Sequence, residues 1–253
     1  MEIEHISSRK NQYIAHVRAL AADGAYRREQ RQFLCDGLKT LREAIQYGAE
    51  IVSVMWKESA GEIDGLCGAK EYAAAAELFD YASPMKNSPG PLFSVRMRAP
   101  GGSGFKNAIV LEGVQDPGNV GTVIRTANAF DIDAVILTGS CADLYNPKTV
   151  RATMGAIFRQ RVVELPLDSL TAVLEENGLP LYGAALSDGA VDFRSVRLSD
   201  AAVAVGSEGR GLSAELLSMC AGQVIIPMNP DSESLNAGVA ASVIMWEMSR
   251  NKF

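Results

Sequence analysis

QDPGNVGTVIRTA, residues 115–127, lies between two stretches of opposite periodicity. Before it, residues 108–114 (AIVLEGV) form an apolar, β-branched run bounded by glycine, the pattern of a buried strand. Within it, Val120, Val123, Ile124 and Ala127 recur three and four apart, which is helical spacing. Asp116, Pro117, Gly118 and Asn119 read as a tight turn, because proline pre-sets φ and glycine tolerates conformations closed to bulkier residues. A strand, a sharp turn and a helix start place Asn119 at the carboxyl end of a strand, where open α/β sheets gather ligands. Arg125 follows Asn119 by nearly two helical turns and is expected on a similar face. Arginines on amphipathic helices usually face solvent, but the neighbours here, Ile124, Thr126 and Ala127, are small or apolar.

Downstream the two periods alternate. Strands are expected at 108–114, 134–138, 161–165, 180–186, 201–205 and 223–227, and helices at 119–130, 147–157, 168–177, 213–221 and 235–250. Asn146 before Pro147 reads as a cap and first-turn proline; Ser213 reads as a cap with Glu215 in the first turn. Such alternation implies an α/β fold with a mainly parallel sheet and helices on both faces.

The front of the chain reads as a smaller α/β domain. A helix is expected over 6–31, where Ile14, Val17 and Leu20 share a face, then a strand at 32–36 and a helix at 38–47 ended by Gly48. A strand at 51–56, a helix at 70–79 from its alanine run, and a strand at 92–97 complete it. The Pro/Gly/Ser cluster at 98–104 marks a linker, dividing the chain into domains at 1–97 and 105–253.

The composition, 253 residues with 47% apolar and 21% charged, is that of an ordinary globular protein. Residues 237–246, the longest strongly apolar stretch, are too few to span a bilayer, so no membrane partner is expected. The opening MEIEHISSRK has no apolar signal region, and a cytoplasmic location is expected. Cys35, Cys67, Cys141 and Cys220 stand far apart and read as free thiols. The two histidines, His5 and His16, both lie near the N-terminus, which disfavours a histidine-activated nucleophile or a histidine metal site in the second half; no metal is expected. The net charge of −6 is unevenly spread: residues 1–34 carry six basic and four acidic side chains, residues 162–220 three basic and nine acidic. A positive end on an acidic body fits a local phosphate-binding surface, and equally a solvated basic helix face.

The glycine fingerprints of nucleotide sites fail. No GxxxxGK[ST] is present, and Gly206, Gly209 and Gly211 fall in the wrong order and too late in the domain for a dinucleotide fold. Three stretches do share one plan of strand, polar glycine-bearing loop and helix start: 111–125, 202–212 (AVAVGSEGRGL) and 224–236 (VIIPMNPDSESLN). Loops ending adjacent strands converge on one pocket, where glycines admit close backbone approach and apolar side chains suit a purine. Asn119, Glu208, Ser234 and Asn236 lie within them.

These three stretches, DPGNVGTVIRTA, GSEGRGLS and IPMNPDSESLNAGVAAS, in this order and spacing, resemble the three motifs of the SpoU (TrmH-like) family of RNA ribose 2′-O-methyltransferases in the SPOUT superfamily. The resemblance covers residues 105–253. More weakly, ISSRKN and RREQRQFLCDGLKTLREAI resemble the ribosomal-protein-like RNA-binding domain that precedes the catalytic domain in several members.

The resemblance implies a deep trefoil knot, an S-adenosylmethionine site within it, a homodimer, and structured RNA as substrate; the two-domain layout favours ribosomal RNA over transfer RNA. It maps the catalytic positions onto Asn119, Arg125, Glu208, Ser234 and Asn236. It maps the cofactor-binding positions onto Leu186, Gly206, Ser207, Gly209, Ile226, Met228, Ser234 and Leu235. It makes Arg125 the residue that activates the 2′-hydroxyl; since arginine is not deprotonated in proteins, orientation of the hydroxyl and adjoining phosphate is the favoured role. Asn119 would hold Arg125 or the ribose, and Glu208 would do likewise or brace its loop. One departure is visible: after SLN this chain has Ala237 and Gly238 where the family commonly has Val-Ser, which is expected to loosen the last helix or the site. A transfer RNA substrate and a catalytically silent RNA-binding paralogue remain the alternatives.

Overall fold

The chain divides into two compact units, Met1–Ala99 with Asp143–Phe158, and Pro100–Ala142 with Arg159–Phe253. The computed structural model describes residues 3–59, 61, 63–66, 68–98, 104–187, 189–229, 231 and 234–252. Most of the expected linker at 98–104, and Cys67, lie outside the described residues.

Unit one begins with β1 (Glu4–Ile6), α1 (Gln12–Ala22) and α2 (Gly24–Gln30) where one long helix was expected. Asp23 breaks the helix: its backbone is extended, and its carboxylate accepts hydrogen bonds from the Ala25 and Tyr26 amides at 2.8 and 3.2 Å. Aspartate competes for backbone donors in this way and favours a cap over a helix interior. There follow β2 (Gln32–Asp36), α3 (Leu38–Gln46), β3 (Ile51–Lys57), β4 (Lys70–Ala74), α4 (Ala76–Ala82) and β5 (Leu92–Arg96). The expected helix at 70–79 is therefore half strand. Ala73 and Ala74 are buried in β4, which pairs in parallel with both β1 and β3, so sheet pairing overrides the helix propensity of alanine. The five-stranded sheet runs β1-β4-β3-β5-β2 and is mixed, β5 being antiparallel to β3 and β2. Ile14, Val17 and Leu20 of α1 and Leu78, Phe79 and Ala82 of α4 pack against it.

Unit two opens with β6 (Ala108–Glu112), α5 (Pro117–Ala129) and β7 (Ala134–Thr138). The chain then supplies unit one with α6 (Pro147–Ala152) and a 3-10 turn at Ala156–Phe158. The helix expected over 147–157 is cut short because Met154 and Gly155 take positive φ of 50° and 88°. This excursion is fixed inside unit one by an ion pair from buried Arg27 to half-buried Asp143 at 2.5 Å, and by Phe33 against Tyr145 and Phe158. The Arg27 guanidinium also donates to the Leu20 carbonyl at 2.7 Å. Unit two resumes with β8 (Val162–Glu164), α7 (Leu167–Glu176), β9 (Leu181–Ala184), β10 (Val191–Asp192) and a 3-10 turn at Phe193–Ser195. It ends with β11 (Ala202–Gly206), α8 (Ala214–Met219), β12 (Gly222–Ile225) and α9 (Ala237–Met248).

Its seven strands are all parallel, in the order β10-β12-β9-β11-β6-β7-β8. Two-residue β10 is too short to carry a periodic signal and was not foreseen. Ala108, Val110, Ala134, Ile136, Ala202 and Ala204 face α7 and α8, where Leu170, Leu174 and Leu216 close a core. Their neighbours Ile109, Leu111, Val135 and Val203 are equally buried on the other face, where α9 packs on β11 and α5 on β7. Helices thus cover both faces, as the continuous apolar strands require. Among the described residues no helix is long and apolar enough to cross a membrane. Cys35, Cys141 and Cys220 are free thiols, and burial pushes Cys220 up to about 11.

Candidate active site

The residues expected to form a turn at 116–119 are instead the start of α5. Asp116 is its cap, accepting from the Asn119 amide at 2.8 Å, and Pro117 sits in the first turn, where its missing N–H is harmless. The Asn119 side chain is thereby aimed off the helix's first turn, beside the loop that follows β11. There Glu208 Oε1 accepts a hydrogen bond from Asn119 Nδ2, a second from Asn236 Nδ2 at 3.1 Å and a third from the Ala237 amide at 3.3 Å. Asn236 in turn caps α9 through the Val239 amide at 3.2 Å. One carboxylate therefore joins the amino ends of two helices, where the backbone favours negative charge. The cluster is exposed, so each contact is worth about 1 kcal/mol or less and the arrangement is one of position more than of stability.

Gly238 fits this junction. A Cβ there would stand 3.2 Å from the Oδ1 atoms of both Asn119 and Asn236. Both small residues at 237–238 are buried, and at Gly238 a larger side chain would crowd Asn119. Gly206 also has a different reason from the one expected. A Cβ on it would lie 2.1 Å from the Gly211 carbonyl carbon, because the loop folds back on itself through the Gly211 amide and Ser207 carbonyl at 2.9 Å. Glycine is needed there for the protein's own backbone.

Two hollows meet at this loop. The more apolar one, about 410 Å³, is walled by residues 184–187, 205–208, 223–226 and the start of α9. Leu186, Gly206, Ser207, Ile226, Met228, Ser234 and Leu235 line it; Gly209 does not, and belongs to the neighbouring polar cleft with Glu112, Gln115 and Asp116. The three motif loops do not end three adjacent strands, since β9 lies between β11 and β12. The segment after β9 consequently forms part of the wall, with Leu186 61% exposed at its mouth and Ser187 Oγ bonded to Gln223 at 2.6 Å. Apolar walls with backbone edges and three serines, in a volume of this size, suit a purine nucleoside carrying an amino-acid chain.

Arg125 stands apart. It is exposed on α5 and makes no hydrogen bond or ion pair among the described residues, while its neighbour Thr126 meets Ser242 of α9 at 3.4 Å. Glu112 was not singled out in the sequence. Its carboxylate accepts from the Ser213 amide and hydroxyl at 2.7 and 2.6 Å, fixing the far end of the Glu208 loop. A charged residue closing an otherwise apolar strand was the available signal. No group of three or more His, Cys, Asp or Glu side chains is placed to hold a metal among the described residues.

Comparison with known proteins gives this geometry relatives. Residues 106–246 match the SpoU rRNA Methylase family. A 23S rRNA (guanosine(2553)-2′-O)-methyltransferase of Bacillus subtilis is 29% identical, covering 97% of this chain and 99% of that protein. An uncharacterized tRNA/rRNA methyltransferase of Synechocystis is 30% identical over 100% of this chain and 96% of its own. The crystal structure of an AdoMet-bound rRNA methyltransferase from Sinorhizobium meliloti superposes with a TM-score of 0.90 at 25% identity, covering 99% of each chain.

Proposed function

The chain belongs to the SpoU rRNA Methylase family, and from that premise we propose that it methylates a ribose 2′-hydroxyl of ribosomal RNA with S-adenosylmethionine as methyl donor. The observation that carries the reading is the single carboxylate of Glu208 locking Asn119 and Asn236 beside the apolar hollow. Residues 205–208, 224–226 and 234–235 would hold the cofactor by backbone contacts, with Leu186 and Ile226 against its purine. Bound there, it supplies a sulfonium methyl group for in-line displacement.

The protein's part is position and charge. Asn119 is held by Glu208, which lines the hollow. Glu208 acts through Asn119 and Asn236 and is a positioning residue. Arg125, with no partner among the described residues, is suited to grip a phosphate and orient the adjoining hydroxyl. Ser234, on the wall of the hollow, supplies a hydroxyl with no partner among the described residues.

The same reading includes a knotted C-terminal segment, a homodimer, RNA contacts through unit one and a cytoplasmic site of action. In support of the knot, the chain crosses from β11 past β9 to β12 and then returns for α9 to pack on α5 and β11. In support of the homodimer, α9 leaves Val239 and Trp246 about half exposed.

The test is a map of ribose 2′-O-methylation in cells with and without this gene. The expected outcome is loss of one ribosomal RNA methyl group, restored by the wild-type gene and not by Asn119→Ala. Loss at a transfer RNA position would keep the chemistry and overturn the substrate; no loss anywhere would overturn the enzyme reading.

A further inference from the structure

Unit one and unit two differ in charge. Unit one carries fifteen basic and fourteen acidic residues, unit two nine and sixteen. Attraction for a polyanion therefore depends on where unit one leaves its cations unpaired. Several are neutralised: Arg27 by Asp143, Lys57 by Asp80 and Arg96 by Glu50. Arg9, Lys10 and Arg18 have no ion-pair partner among the described residues, and all three are exposed.

They are also arranged. The guanidinium carbons of Arg9 and Arg18 lie 4.6 and 4.1 Å from the ring centre of Tyr81 on α4. Arg18 Nη1 donates to the Tyr81 carbonyl at 3.0 Å. Lys10 is placed next to Arg9 by a turn in which its amide donates to Ser8 Oγ at 3.2 Å. On α4, Asp80 is taken by Lys57, and Glu77, one turn before Tyr81, pairs with neither arginine. Two exposed arginines gathered on one ring, with no ion-pair partner among the described residues, concentrate positive charge that an anion would complement. A cation held against a tyrosine ring is positioned by it while further N–H groups remain to donate to phosphodiester oxygens.

We propose that Arg9 and Arg18, gathered on Tyr81, and Lys10 beside Arg9 grip the sugar–phosphate backbone of the substrate RNA. This rests on the reading of the protein as an RNA methyltransferase, and it assigns the contact to residues.

The experiment measures binding of the full-length protein to an unmethylated 23S rRNA transcript as KCl is raised. Each lost phosphate contact lowers the log–log salt slope by about 0.7–0.9, so R9Q/R18Q is expected to lower it by about 1.5 and to weaken binding about tenfold or more. R9K/R18K, which keeps the charges and loses the stacking, is expected to restore the slope with only part of the affinity. Because both arginines are exposed, melting temperature and S-adenosylmethionine affinity should stay at wild-type values. Wild-type slope and affinity in R9Q/R18Q would overturn the proposal, as would a loss that R9K/R18K fails to reverse in slope. The readout is binding, so a failure of the methyl-transfer reading would appear in the methylation map and leave this comparison intact.

Discussion

At the scale of single residues, the site depends on atoms that have no room to be anything else. Gly206 and Gly209 belong to one motif and look alike in the sequence, yet a Cβ on Gly206 would strike the Gly211 backbone and one on Gly209 would meet nothing within 4 Å. Gly206→Ala is therefore expected to lose about 1–3 kcal/mol of stability in chemical denaturation, with a matching loss of S-adenosylmethionine affinity by calorimetry. Gly209→Ala is expected to stay within about 0.5 kcal/mol of wild type in the same denaturation series. Equal effects at the two positions would mean that the loop does not close as described. The residue types of the site were readable as a motif; their division of labour was not, because Glu208 meets Asn119 and Asn236 across 89 and 28 residues of chain, and such distances leave no trace in local spacing.

At the scale of elements, periodicity carried the second half of the chain well, since its strands are buried on both faces and its helices begin at recognisable caps such as Asn146 and Ser213. It failed where long-range pairing decided the outcome. Residues 70–74 have the composition of a helix and become a strand only because β1 and β3 flank them. The excursion at 143–158 is the other such element: nothing in its sequence says that it completes unit one. Its anchor offers a test. Asp143→Ala leaves Arg27, only 3% exposed, without its partner, and is expected to cost about 3–5 kcal/mol in chemical denaturation. Hydrogen exchange should then rise across residues 143–158 before it rises in β6 or β11. Unchanged protection there would show that the aromatic contacts of Phe33 suffice.

At the scale of the whole molecule, α9 raises the question of assembly. It is apolar on several sides, with Ala241, Ile244, Met245 and Met248 buried, Val239 49% and Trp246 57% exposed, and Trp246 stacked edge-on against Phe130 at 5.5 Å. A helix apolar all round is one that expects to be covered. Light scattering should give twice the chain mass, and V239E/W246E should give the single chain; a monomeric wild type at micromolar concentration would refute the homodimer. The division of unit one across the sequence has a consequence of another kind, in the order of manufacture. Leu144, Val150 and Phe158 are core residues of the first unit but leave the ribosome only after more than forty residues of the second. At about 5–20 residues per second, the nascent amino-terminal half waits several seconds with part of its interior missing. It is finished by a segment that arrives while the other half is itself incomplete, so neither half matures as an independent module on the way out.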